Sequence, residues 1–462
     1  MSQTLAQTII FGRDDDVANA LSTQIEINEI DEYGYTPLIQ CAIVNSVSKS
    51  RLLLQAGAKV DFPDLTGRTA LHWAASNGNR ALCELLLNNK ANPNSYSYAA
   101  QPTLVIPYLK QNKSIYQLLF SRGANLNFAE DFINAKLLGH RFELEGRVDV
   151  VDTENTFVEV EFEGFYLEFS LNLVKSSLAD FRFNFGGKNL RKYFSKLDAT
   201  THALQNAIEL MKYQHYLTDV KKYREQIDTL LDHEPLILPI AFEGHAVTFI
   251  KFWEWLIRCD RGEFGRKSGT TIVYFMRNPQ MVTKAFLREL LYKRQYAEGI
   301  NTELAEYLGL DIVWQLPLSP QTVGNCTWAN VEAVIPALIF LLALEERGGK
   351  EPQLCQQEAL DFYNSWLEWD QNRSLHFCIE SFYKANPARK AAKAALLASI
   401  LFQTCKYENR RDHDRVEQIL PILKSPQYRY ILDGYIKVFK EDPNNALLKN
   451  LYNFLDDFGV VV

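Results

Sequence analysis

This chain of 462 residues has no closely spaced pairs of cysteines in its sequence. The seven cysteines are widely spaced and form no Cys-x-x-Cys pair; they are Cys41, Cys83, Cys259, Cys326, Cys355, Cys378 and Cys405. An odd and scattered set of this kind suggests neither a disulfide framework nor a zinc site. We therefore expect a protein of a reducing compartment that binds no metal.

Long apolar runs and an excess of positive charge are also missing. The N-terminus has no basic region followed by a sustained apolar stretch, and the most apolar segment, 331–344, is too short to span a bilayer. With 49 basic and 56 acidic side chains, the net charge of −7 argues against a surface built on nucleic-acid phosphate contacts. The glycines at 186–187 and 262–265 lack the strand and helix that flank a nucleotide-binding loop. We expect no membrane span, no direct nucleic-acid contact and no cofactor.

A repeat with a period of 33 residues is present in the first third of the chain. Its columns are Gly34, Gly67 and Ala100; Leu54, Leu87 and Phe120; Gly57, Lys90 and Gly123; and Asn28, Asp61, Asn94 and Asn127. Four columns in one register are strong evidence for a repeat array, in which each unit buries its apolar face only against its neighbours. A chain of 462 residues with 47% hydrophobic content can bury several cores, so we expect about three domains in all.

The segment Thr69–Ala75, which reads Thr-Ala-Leu-His-Trp-Ala-Ala, resembles the ankyrin signature Thr-Pro-Leu-His-x-Ala-Ala. The resemblance covers about residues 1–130 and implies four ankyrin repeats, the first of them a degenerate cap. It also implies that His72 is structural and that the concave face and the loops of the array bind another protein.

Two sets of residues in the array are candidates for contact or modification. Tyr96 and Tyr98 stand in a loop where a turn needs only polar residues, which makes them candidate partner-binding residues, although ordinary packing explains them equally well. The ankyrin resemblance further implies that Asn28, Asn94 and Asn127 are candidate sites of hydroxylation by a host asparaginyl hydroxylase.

The pattern changes near residue 137. Alternating apolar and polar residues predict antiparallel strands, so we expect a β-rich segment at 137–195, part of or packed on the domain that follows. Helical spacing returns at 196–232 and predicts an amphipathic helical insertion that acts as a cap. Strand-like segments follow at 235–242, 244–252, 255–260 and 312–318.

Four residues at the ends of these segments suggest nucleophilic catalysis. His245 begins one strand and Asp260 ends the next, so a hairpin would bring them together. Cys326 precedes a long helix, whose free N–H groups stabilise a thiolate, and Gln321 could donate to an oxyanion. A buried structural cysteine is the alternative, and we interpret Cys259 in this way because it lies within a strand.

The order His, Asp, Gln, Cys, with glutamine five residues before cysteine, resembles the clan that joins SUMO-type and adenoviral cysteine proteases to YopJ-type acetyltransferases. The resemblance covers about residues 235–345 and implies that the four residues act as base, orienter, oxyanion donor and nucleophile. Two positions depart from the clan: Ala246 replaces an aromatic residue after the histidine, and Thr327 replaces the glycine after the nucleophile. These departures leave turnover open.

The predicted fold is multidomain: an all-α ankyrin solenoid, then an α+β cysteine protease-like domain at 233–345 with a helical insertion, then a helical C-terminal region at 346–462. Ankyrin repeats joined to a triad of this order and a helical tail resemble the effectors that Legionella delivers into host cells by type IV secretion. This resemblance implies a protein that acts on host protein in the host cytoplasm or nucleus.

Three hypotheses remain from the sequence. In the first, the ankyrin repeats select a host protein and the thiol site cleaves a peptide or isopeptide bond or transfers an acyl group. In the second, the protease-like domain is a degenerate binding module without turnover. The third is a plain ankyrin scaffold with a structural second half.

Overall fold

The structure is a computed structural model that describes residues 5–23, 26–162, 167–184, 190–214, 218–321, 324–440 and 446–460. The chain divides into two compact units. The first unit comprises Met1–Ser97, Ile106–Ala124 and Gly164–Trp369, and the second comprises Tyr98–Val105, Asn125–Glu163 and Asp370–Val462.

Four helix pairs form the ankyrin array. They are α1 (Leu5–Phe11) with α2 (Asp14–Leu21), α3 (Pro37–Ile43) with α4 (Val47–Gln55), α5 (Ala70–Ser76) with α6 (Arg80–Asn88), and α7 (Val105–Leu109) with α8 (Lys113–Ser121). Helices α1, α3 and α5 pack in succession, and so do α2, α4, α6 and α8. Leu53, Leu86 and Leu119, one repeat apart, are completely buried between neighbouring pairs. The expected ankyrin stack is therefore present.

A short antiparallel hairpin belongs to the second unit. It consists of β1 (Arg147–Val151) and β2 (Phe157–Glu161) and packs against α9 (Leu126–Arg141) and α19 (Pro387–Thr404). Val148 and Val150 are buried between exposed neighbours, as a half-buried strand requires.

The expectation of a β-rich segment over all of 137–195 is wrong. Residues up to Arg141 belong to α9, and α10 (Leu167–Phe183) is a helix of 17 residues. Its buried residues Leu171, Leu178 and Phe181 recur at helical spacing. Closely spaced apolar residues at the start of α10 imitate the alternation of a strand, and this similarity accounts for the error.

An antiparallel sheet of five strands lies in the first unit, in the order β3-β4-β5-β6-β7. The strands are β3 (Leu236–Phe242), β4 (His245–Phe252), β5 (Trp255–Cys259), β6 (Thr271–Met276) and β7 (Leu310–Gln315). The sequence predicts four of these strands and misses β6. Glu243 and Gly244 connect β3 to β4 and both have positive φ angles, of 47° and 79°, as a two-residue hairpin turn requires.

Helices surround this sheet. They are α10, α11 (Phe194–Met211), α12 (Arg224–Leu230), α13 (Glu263–Ser268), α14 (Lys284–Tyr292), α15 (Leu304–Leu308), α16 (Cys326–Glu332) and α17 (Val334–Glu346). Helix α11 packs on β3, whereas α16 and α17 pack on β4. The combined helix Cys326–Glu346 is long and apolar enough to cross a membrane, but 83% of its apolar window is buried inside the protein. Its hydrophobicity is therefore that of a core helix.

The remaining described elements are helices. The helices are α18 (Pro352–Lys384), α19, α20 (Arg410–Lys424), α21 (Arg429–Lys440) and α22 (Ala446–Asp457). Helices α19, α20 and α21 pack on one another within the second unit.

Candidate active site

The β3–β4 hairpin and the end of β5 bring a histidine and an aspartate together. His245 is the first residue of β4, where it pairs with Phe242 across the turn. Asp260 directly follows β5, and its N–H donates to the Thr270 carbonyl at 2.9 Å. Nε2 of His245 lies 3.2 Å from Oδ1 of Asp260. The two residues thus meet, as the hairpin pattern in the sequence predicts.

Both carboxylate oxygens of Asp260 have hydrogen-bond partners. Its side chain is completely buried, with Oδ2 2.7 Å from Nη2 of Arg258 and Oδ1 3.1 Å from the Gly262 N–H. The Arg258 guanidinium stacks 3.6 Å from the centre of the Phe264 ring and also donates to Asn301 at 2.5 Å. Burial alone would raise the pKa of Asp260, but the hydrogen bonds from His245 and Arg258 lower the pKa below its usual value. The carboxylate therefore stays ionised beside the imidazole.

Two glycines let the loop after Asp260 close against this pair. A Cβ added to Gly262 would lie 2.6 Å from Cε1 of His245, and one added to Gly265 would lie 1.6 Å from the Asp260 carbonyl oxygen. No side chain fits at either position. The glycines at 262–265 therefore serve close packing at the site.

Cys326 begins α16 and is half-buried, whereas the other six cysteines are buried. Burial opposes ionisation of this thiol, but hydrogen bonds from His245 and from the N–H groups of Ala246 and Thr327 outweigh it and lower the pKa of Cys326. Burial instead raises the pKa of Cys259 and Cys355, raises it to about 11 in Cys378, and raises it to about 12 in Cys41, Cys83 and Cys405. Cys326 is thus the one cysteine of the seven whose pKa is lowered.

His245 is poised to be the partner of this thiol. Hydrogen bonds to Asp260 and then to Cys326 raise the pKa of His245 to about 9. Because Nε2 faces Asp260, Nδ1 is the ring nitrogen left for the sulfur. The lowered pKa of Cys326 favours a thiolate, and the pKa of about 9 of His245 favours an imidazolium. The two shifts together favour a thiolate and imidazolium pair.

Gln321 is tied to the same loop through its backbone. Its N–H donates to the Arg261 carbonyl at 2.9 Å, and its carbonyl accepts from Nη2 of Arg266 at 2.7 Å. The side-chain Oε1 is buried and has no hydrogen-bond partner within the described part of the chain. No hydrogen bond to Oε1 therefore fixes the orientation of the Gln321 side-chain amide within the described part of the chain. Its Nε2 is the group that could donate to an oxyanion.

Sequence reasoning does not single out two residues of the site, Arg258 and Asn330. Arg258 is a buried cation inside an apolar strand, two residues before Asp260, and Asn330 is a completely buried amide in an apolar helix, four residues after Cys326. The signal that could have identified both is a polar residue on a buried face, because such a group needs a specific partner.

The ankyrin candidates occupy different environments. His72 is buried at the start of α5, where Nδ1 accepts a hydrogen bond from the Thr69 N–H at 3.1 Å, so it caps a helix as the family resemblance implies. The side chains of Tyr96 and Tyr98 are 38% and 74% exposed. The two tyrosines therefore remain accessible to a partner.

The three candidate asparagines also differ from one another. Asn28 and Asn94 lie in turns, where Asn28 accepts from the Lys59 N–H and Asn94 donates to the Gly123 carbonyl, each at 2.8 Å. Asn127 instead lies in the first turn of α9. Its backbone is helical, so it does not share the turn of the other two.

Comparison with known proteins agrees with this architecture. Residues 5–97 match the family of ankyrin repeats, in three copies. Mouse Inversin is 45% identical over 62 residues, which are 13% of this chain and 6% of Inversin. The ankyrin repeat domain-containing protein M-T5 of Myxoma virus is 32% identical over 83 residues, 18% of this chain and 17% of the viral protein. This chain thus spans only a small part of these two relatives.

A solved structure of an effector protein resembles this chain over its whole length. The structure of the Legionella effector AnkH is 39% identical in sequence, with a TM-score of 0.93, over 100% of this chain and 98% of the AnkH chain. The likeness therefore includes the ankyrin array, the five-stranded sheet and the helices that follow.

Proposed function

The chain belongs to the family of the Legionella effector AnkH, and from this premise we propose that it is a secreted effector that binds and modifies a host protein. The concave face and loops of the ankyrin array bind the host protein. The site around Cys326 then cleaves a peptide or isopeptide bond or transfers an acyl group. Type IV secretion would deliver the protein to the reducing cytoplasm or nucleus of the host cell.

The observation that carries the enzymatic part is the connected line of Asp260, His245 and Cys326. The thiolate attacks a carbonyl carbon, and the resulting oxyanion takes a hydrogen bond from Nε2 of Gln321. His245 donates its proton to the leaving amine as the carbon–nitrogen bond breaks, or to the leaving thiolate as the carbon–sulfur bond of a thioester donor breaks, and an acyl group remains on the sulfur of Cys326. His245 then accepts a proton from water, or from an acceptor amine or hydroxyl group, as that group displaces the sulfur.

A second function, a binding module without turnover, is favoured by Thr327. This residue follows the nucleophile, and its Oγ1 is buried without a hydrogen-bond partner in the described part of the chain. A side chain at this point occupies space that the glycine of the related proteases leaves open. In this alternative the surface around Cys326 recognises a host protein and releases it unchanged.

Electrophilic probes distinguish the two functions. The full-length protein is incubated with a panel of ubiquitin and ubiquitin-like proteins that carry a C-terminal alkyne, and separately with acyl coenzyme A thioesters. We expect a covalent adduct on Cys326, identified by peptide mass spectrometry, that is abolished in Cys326→Ala and strongly reduced in His245→Ala.

The matched control is Cys355→Ala, which removes a buried thiol with a raised pKa and should leave labelling intact. Rapid reaction of Cys326 with iodoacetamide, without any adduct or turnover across the panel, would favour the binding module. The change Thr327→Gly would then be the first variant examined for recovered labelling.

A further inference from the structure

The hydrogen-bonded pairing of β4 with β5 ends although both chain segments continue past the last pair. Its last pair is Thr248 with Cys259, and two further residues along each strand would place Ala246 opposite Arg261. In an antiparallel ladder these two residues could bond directly to each other through their N–H and C=O groups. Here the strands separate, and four backbone groups are left at the gap.

Each of these groups has a partner in the candidate site. The Ala246 carbonyl accepts from Nδ2 of Asn330 at 2.5 Å, and the Arg261 N–H donates to Oδ1 of Asn330 at 2.7 Å. The Ala246 N–H is one of the groups that lower the pKa of Cys326, and the Arg261 carbonyl accepts from the Gln321 N–H at 2.9 Å. The backbone groups at this gap thus interact with both the candidate nucleophile, Cys326, and the candidate oxyanion donor, Gln321.

We propose that Asn330 is the positioning residue of this site and sets the separation between the histidine strand and the aspartate loop. This inference rests on the thiol site proposed above and names how its parts are held in place. The Asn330 side chain is completely buried and lies one helical turn after Cys326, on the same side of α16. One carboxamide therefore joins the three chain segments that carry the base, the orienter and the nucleophile.

The chemistry of the gap explains why an amide stands there. Ala246 presents an acceptor and Arg261 a donor, and a carboxamide supplies one donor and one acceptor from a single planar group. An aliphatic residue would leave both backbone groups buried and unpaired, which is costly. Because the Ala246 N–H lies on the same residue as the bridged carbonyl, a displacement of Ala246 should also weaken its lowering of the pKa of Cys326.

Asn330→Ala and Asn330→Ser test the proposal through the pH dependence of Cys326 alkylation by iodoacetamide. We expect the apparent pKa of Cys326 to rise in both variants and to rise less in the serine variant, which keeps one polar group. A rise of one unit would slow alkylation at pH 6 about tenfold and leave the rate above pH 10 near that of the unaltered protein. Should the alanine variant fail to fold, the serine variant decides.

Asn206→Ala is the matched control, because it removes a buried carboxamide that donates to the Leu230 carbonyl at 3.0 Å away from the site. It should lower the melting temperature and leave the alkylation profile unchanged. If Asn330 variants lower the melting temperature but keep the profile, Asn330 is merely structural and the proposal is overturned. If Cys326 of the unaltered protein is not activated and does not respond to His245→Ala, the thiol site itself fails, which is a separate result.

Discussion

Arg258 and Asp260 form a salt bridge of 2.7 Å in which both side chains are buried, the second of them completely. The arginine occupies Oδ2 of the aspartate and leaves Oδ1 to the imidazole of His245. A buried carboxylate without such a partner would tend to become protonated and would then lose its hold on the imidazolium. The charge of Arg258 thus acts on the base through one intervening residue.

Replacement of Arg258 by methionine should therefore be strongly destabilising. The change keeps an unbranched side chain but removes the arginine cation from the buried Asp260, and breaking a buried ion pair in this way costs about 3–5 kcal/mol in the free energy of unfolding. Chemical denaturation measures this quantity. As a control, Lys267→Met removes an exposed pair with Glu263 and should change the free energy of unfolding little. Equal effects of both substitutions would contradict the buried pairing.

The seven cysteines should react with iodoacetamide at very different rates. Cys326 combines partial exposure with a lowered pKa, and the other six combine burial with a raised pKa. We expect Cys326 to be modified first at pH 7, and His245→Ala to slow its reaction, because the imidazolium no longer stabilises the thiolate. Time-resolved peptide mass spectrometry reports all seven sites at once. Equal rates at Cys326 and Cys355 would argue against an activated thiol.

The stability contributed by His245 should depend on pH in a defined direction. Its pKa is raised to about 9 in the folded protein, from about 6.5 in an unfolded chain. The contribution is therefore complete below about pH 6.5 and is lost as the pH rises through about 9. The free energies of unfolding of the unaltered protein and of His245→Gln should converge between pH 6.5 and 9.5. A constant difference over this range would count against the raised pKa.

The double change Tyr96→Ala and Tyr98→Ala should weaken capture of a host partner without unfolding the protein. Tyr98 is 74% exposed and Tyr96 is 38% exposed, and exposed aromatic residues are frequent anchors of interfaces. Affinity purification from host-cell extract, compared with the unaltered protein, measures the effect. Tyr383→Ala, an exposed tyrosine on α18, serves as the control. Undiminished recovery of partners by the double variant would exclude the loop as a contact.

Hydroxylation by a host asparaginyl hydroxylase should favour Asn94. This residue and Asn28 lie in turns, whereas Asn127 begins a helix, so Asn127 should be modified least. Mass spectrometry of peptides after incubation with the enzyme would show the addition of one oxygen, and Asn94→Gln should abolish the signal at that peptide. Modification of Asn127 ahead of Asn94 would show that backbone conformation does not govern the choice.

The sequence was sufficient to predict the parts of the molecule that depend on periodicity. Registered leucines such as Leu53 and Leu86 define the ankyrin stack, and the strand pattern around His245 predicts its approach to Asp260. These predictions succeed because each rests on residues close together in the chain, whose spacing follows directly from helix or strand geometry.

The sequence was not sufficient where distant segments decide the structure. The proposed role of Asn330 depends on the place at which β4 and β5 separate. Arg258 is oriented in part by a hydrogen bond to Asn301, which lies in a later segment of the chain. Strand β6 and helix α10 were missed for a related reason, since local alternation does not show which neighbours will bury a residue. Contacts across many residues leave only weak traces in a single sequence.

Several of the segments that cover the apolar helix Cys326–Glu346 precede it in the chain. Helix α17 packs on α11, β4 and β5, and Trp314 at the end of β7 stacks on Phe340. During synthesis these covering segments have already left the ribosome when the most apolar helix emerges. A fragment that starts after β7 would lack them, and its apolar surface would then be available to chaperones or to a lipid bilayer.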